Sequence, residues 1–123
     1  MANELERGRI YMRFFKNGEE AEFEALTQFL TVSGTEYILN VQSVSKDTKE
    51  DLAKGDITTI GYVIIKNEDT TNFCSFGDDA DNPSIEAKAG EVIGPLRWSR
   101  SVANISALAD TGAVRVRYLL IED

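Results

Sequence analysis

Residues 57–77, ITTIGYVIIKNEDTTNFCSFG, decide the fold. Tyr62, Val63, Ile64 and Ile65 are apolar in succession, which predicts a strand covered on both faces. Asn67, Glu68, Asp69, Thr70, Thr71 and Asn72 follow as a loop of turn formers. Phe73, Cys74 and Phe76 resume the apolar pattern, and Gly77 ends it. A strand apolar on both faces belongs inside a sandwich or barrel.

Towards the N-terminus the pattern stays extended. From Arg9 to Phe15, Ile10, Met12 and Phe14 share one face, with Arg9, Tyr11 and Arg13 opposite. Asn17-Gly18 is a turn pair, because both residues tolerate positive φ. Glu20, Glu22 and Glu24 alternate with Ala21, Phe23 and Ala25, and the branched Thr27, Thr31 and Val32 favour strand over helix here. Tyr37 to Val44 is a further strand, with Tyr37, Leu39 and Val41 on one face. Lys49 to Lys54, after Thr48, reads either as one helical turn closed by Gly55 or as an extended edge segment.

Towards the C-terminus, Ser84 to Ala87 is a short strand and Ala89-Gly90 its turn. Glu91 to Trp98 is interrupted by Gly94-Pro95, which predicts an edge or kinked strand. Val102 to Ala109 and Ala113 to Ile121 close the chain through Asp110-Thr111-Gly112. In the last strand Val114, Val116 and Tyr118 face one way, and Arg115 and Arg117 the other. The expected fold is all-β: a single-domain β-sandwich or jelly roll over residues 1–123. It has about eight or nine short strands and at most one short helical turn.

A chain of 123 residues suits one domain. Its 42% hydrophobic content supports a core without disulfides, and the single cysteine, Cys74, reads as a buried residue. Histidine is absent, which removes the commonest general base and nitrogen ligand. The formal charge of −8 repels phosphate backbones, so neither nucleic acid nor an anionic membrane is the expected partner. The opening MANELERGRI lacks the apolar segment of a secretory signal, so synthesis in a cytoplasm is expected.

Four constellations bear on function. Asp78, Asp79, Asp81 and Asn82 crowd oxygen ligands into five residues, but without EF-hand spacing, and read as a solvated acidic loop. Trp98, between Arg97 and Ser99-Arg100, reads either as a packing residue or as an exposed anchor. Glu20, Glu22 and Glu24 form an acidic face. Arg115 and Arg117 form a basic one, with Arg9 and Arg13 alongside as an option. These charges either pair across strands of one sheet or join one subunit to the next in a ring-closing contact. No nucleophile has a histidine partner, and the glycines make neither a dinucleotide fingerprint nor a P-loop. No enzymatic activity, cofactor or metal is expected.

The segment GDITTIGYVIIKNEDTTNFCSFG (55–77), the turn KAGE (88–91) and the closing VRVRYLLIED (114–123) resemble small structural proteins of tailed bacteriophages. The likeness runs from about Val41 to the C-terminus. It is a pattern of turns and apolar strands, and the first forty residues carry no mark of it. The resemblance implies a non-enzymatic virion protein made in the host cytoplasm, with a capsid cement or decoration protein as the first reading. It also implies a homo-oligomer, a trimer by preference, bound to the major capsid protein or another virion protein. Glu20, Glu22, Glu24, Arg115, Arg117 and Trp98 are the candidate interface residues. A tail or neck adaptor or a fibre-linked virion protein is an alternative. So is a carbohydrate-binding module using Trp98, helped by Tyr62 or Tyr11.

Overall fold

The computed structural model describes residues 3–79 and 82–123, with the backbone alone for residues 3–7, 16 and 26–31. The described residues contain ten strands and no helix, and every pairing is antiparallel. The chain divides into two compact units, Met1–Ser33 and Gly34–Asp123.

The first unit is one hairpin. Strands β1 (Asn3–Lys16) and β2 (Glu19–Val32) are fourteen residues each, far longer than the short strands expected. Asn17 (φ 50°) and Gly18 (φ 82°) make the two-residue turn, both in the left-handed region that a hairpin of this twist requires. The ladder sets Phe14 opposite Ala21, Met12 opposite Phe23 and Ile10 opposite Ala25.

The second unit is the sandwich. One sheet runs β3 (Tyr37–Val44), β10 (Val114–Glu122), β5 (Ile60–Asn67), β8 (Val92–Arg97) in spatial order. The other runs β4 (Glu50–Asp51), β9 (Ser106–Ala109), β6 (Cys74–Gly77), β7 (Ile85–Ala87). Period-two alternation turns Val63 and Ile65 of β5, and Val116, Tyr118 and Leu120 of β10, into one buried cluster. Cys74 and Phe76 of β6 and Ala107 and Ala109 of β9 enter the same cluster from the second sheet. Burial pushes the Cys74 thiol up to about 12, so it stays protonated.

The quoted segment forms β5, a turn and β6, with one difference from expectation. Only the inner face of β5 is buried; Tyr62, Ile64 and Lys66 on its outer face are half-buried. The apolar run arises because the outer surface of this sheet is itself apolar. Phe73 precedes β6 and is exposed, while Cys74 and Phe76 are buried. The turn is built by two side chains. Buried Asn67 donates from Nδ2 to the carbonyls of Asn72 (2.9 Å) and Ala87 (3.0 Å), and accepts from the Asp69 amide (2.8 Å). Asp69 accepts the amides of Thr71 (3.1 Å) and Asn72 (2.7 Å), which holds its carboxyl below the ordinary value.

Lys49 to Lys54 takes the extended alternative: Glu50–Asp51 is an edge strand on β9. β8 is an edge strand, as Gly94-Pro95 requires, and its pairing with β5 slips between Val63 and Ile65. Gly94 sits at φ 100°, and a Cβ there would run into the Val63 carbonyl oxygen. Glu122, near the end of β10, accepts the amides of Thr35 (3.0 Å) and Thr58 (2.8 Å). These bonds hold its carboxyl below the ordinary range.

Candidate interface

The hairpin is a ribbon with two unlike faces. On one face, Arg9 reaches Glu24 at 3.4 Å and Arg13 reaches Glu20 at 3.5 Å. Tyr11 donates from its hydroxyl to Glu22 Oε1 at 3.1 Å. Each contact crosses the ladder diagonally, which long side chains manage on a two-stranded ribbon. The neighbouring Glu22 carboxyl raises the Glu20 carboxyl above its ordinary value. Arg9 and Arg13 therefore pair with the glutamates of their own hairpin.

The other face carries Ile10, Met12, Phe14, Ala21, Phe23 and Ala25, as the one-in-two pattern and the ladder dictate. Its large residues lie in water: Met12 is 68% exposed, Phe14 61% and Phe23 63%. A soluble surface seldom exposes so many large apolar groups side by side. A lone two-stranded hairpin is marginally stable in water at best.

A second apolar surface lies on the outer side of the β3-β10-β5-β8 sheet. Pairing places Leu39, Leu119 and Ile64 in one row across three strands, and Tyr37, Ile121 and Tyr62 in the next. Tyr37 is 71% exposed and Leu39 67%. A shallow hollow here is lined by Leu39, Ile64, Leu119, Val92, Lys66 and Arg117. The rows beyond are basic: Val41, Arg117 and Lys66 align, then Ser43 and Arg115. Arg117 pairs with Glu68 at 3.0 Å, whereas exposed Arg115 has no ion-pair partner among the described residues. At the opposite end Arg97 covers the Tyr62 ring, 5.3 Å from its centroid, and is ion-paired with Asp123.

Trp98 is placed elsewhere. It belongs to the core cluster, with 8% of its surface accessible, and its backbone amide donates to Gly61 O at 2.8 Å. The indole therefore presents no exposed platform, either for a sugar ring or for a protein partner. Of the two readings of Trp98, packing residue or exposed anchor, its burial matches the first: alternation in the chain turns the tryptophan inward. Its Nε1 is buried without a hydrogen-bond partner among the described residues.

In the acidic loop, Lys49 donates to Asp79 Oδ1 at 2.8 Å, and Asp81 lies outside the described residues. No group of three or more His, Cys, Asp or Glu side chains among the described residues could hold a metal ion. Sequence reasoning singled out the charged residues and missed the apolar ones between them. The signal was present: reading the two strands as a hairpin through Asn17-Gly18 sets Met12 against Phe23. No family model matches the chain, and neither a curated protein nor a solved structure matches it.

Proposed function

We propose that this chain is a non-enzymatic structural protein of a bacteriophage virion, a capsid cement or decoration protein that binds copies of itself and the head shell. The observation that carries this reading is the exposed apolar face of the amphipathic hairpin, Met12, Phe14 and Phe23 above all. Water disfavours such a face, so its stable state is one in which another protein surface covers it. The likeness of residues 55–77, 88–91 and 114–123 to small phage structural proteins supplies the setting. The acidic sandwich supports solubility before assembly.

In this reading the partners are other copies of the chain, a trimer by preference, and the major capsid protein. Quantitative denaturing gels of purified virions test it. A cement protein is recovered in many copies per particle and is lost from particles when Phe23 is replaced by Asp. Recovery in a few copies would move the chain to the tail or neck, and absence from purified particles would overturn the virion reading.

A further inference from the structure

We infer that Glu122 is a latch on the stretch of chain that connects the two units. Ionised, it holds residues 34–36 to the end of β10; protonated, it lets them open while the sandwich stays folded. The latch stands independently of the virion reading.

Topology supplies the first support. The first unit ends at Ser33 and the second begins at Gly34. β3 starts at Tyr37, and its outermost pair with β10 joins Tyr37 to Ile121. Residues 34–36 therefore lie outside the ladder. Thr58 likewise precedes β5, which begins at Ile60, and the pairing of β10 with β5 slips between Ile121 and Glu122. Glu122 thus stands where the regular sheet ends, between two segments outside it.

Its bonds tie those two segments together. One carboxylate oxygen accepts the Thr35 amide at 3.0 Å, and the other accepts the Thr58 amide at 2.8 Å. Its own amide donates to the Glu36 carbonyl at 2.9 Å. Backbone amides that converge on a carboxylate favour its charged form. On protonation one oxygen becomes a hydroxyl, so a donor then faces a donor and one segment loses its bond. Packing is close as well. A Cβ at Gly34 would run into Cβ and Cγ of Glu122, so the chain closes directly over that side chain.

The other ionisable groups on the elements that meet here are Glu36, Asp56, Asp123, Tyr62 of β5 and Arg97 of β8. Arg97 is ion-paired with Asp123. Glu36 and Asp56 carry the same charge as Glu122 and on their own would raise its pKa. The Glu122 carboxyl lies below its ordinary value of 4.5 instead, because the amides of Thr58 and Thr35 dominate. A lowered value keeps the latch shut at neutral pH and opens it as pH falls through the folded-state value.

Amide exchange in the full chain, expressed as protection factors, tests the latch. From about pH 7 to about pH 3.5, protection at Thr35 is expected to fall roughly tenfold, as loss of one hydrogen bond to a charged acceptor does. Val116, Tyr118 and Leu120 in the core should stay protected over the same range. Glu122→Gln should show the open level of Thr35 at both ends of the range. Gly34→Ala should open the segment at neutral pH by displacing the Glu122 side chain, and it serves should the glutamine variant fold poorly. Glu36→Gln should keep the transition. Constant protection at Thr35 in the unmodified chain would overturn the proposal. So would a fall that occurs only together with the core, or a transition that survives Glu122→Gln or vanishes in Glu36→Gln.

Discussion

The hairpin and the sandwich are built from the same kind of alternating strand, yet only one of them covers its apolar face. In the sandwich, Val116, Tyr118 and Leu120 alternate with Arg115, Arg117 and Leu119, and the first set meets Phe76 and Ala107 in the core cluster. In the hairpin, Met12 and Phe14 alternate with Arg13 and Phe15, and the apolar set stays exposed. Alternation specifies which residues share a face. What covers that face depends on the elements available to pack on it. The sandwich buries its apolar face within itself; in the function proposed above, the hairpin's apolar face is the one a second molecule covers.

Substitutions that separate the two regions sharpen this contrast. The largest effect belongs to the core. Phe76→Ala empties a fully buried site in β6 and should cost about 3–5 kcal/mol, read as a drop in the thermal midpoint of the isolated chain. Equal loss from Phe23→Ala would erase the difference between the regions. Phe23→Asp should instead weaken association by about 2 kcal/mol or more, as loss of an interface anchor does. Sedimentation would register roughly a thirtyfold rise in dissociation constant, while the sandwich melts as before.

The paired change Arg115→Glu with Arg117→Glu acts at the rim of the sheet face. Exposed pairs contribute about 0–1 kcal/mol each, so the expected loss of association is modest and fades as salt is raised. A loss as large as that of Phe23→Asp would place the energy of association in charges rather than in apolar side chains.

The smallest effect is a pH dependence confined to the sandwich. The Glu122 and Asp69 carboxyls lie below their ordinary values of 4.5 and 3.8, because backbone amides donate to them. A depressed folded-state value stabilises above the unfolded value and is lost as pH falls through the folded one. The sandwich should therefore melt at progressively lower temperature as pH drops below about 4.5, and Glu122→Gln should flatten that decline. A midpoint that rises on acidification would contradict the assignment.

Much of this contrast was legible in the sequence. Ile10, Met12 and Phe14 opposite Arg9, Tyr11 and Arg13, the Asn17-Gly18 turn, and the outward Arg115 and Arg117 all follow from period two and turn chemistry. The all-β class followed from the same signals. Three features were not legible. Length was one: Gly8 and the mixed residues beyond Leu26 hide the fourteen-residue reach of each hairpin strand. Cover was another, since Tyr37, Leu39 and Val41 read equally well as a core face or an exposed one. The third was Trp98, whose polar neighbours say little about which side of a strand end it takes.

Hydrogen exchange on the unmodified chain bears most directly on the idea that a second molecule completes the hairpin. At dilution, the amides of β1 and β2 should exchange quickly while those of β5 and β10 remain protected. On raising the concentration until the chain self-associates, protection should grow across Ile10–Ala25 and stay level in the sandwich core. Hairpin amides already as protected as the core in the dilute monomer, and unchanged on association, would contradict the account.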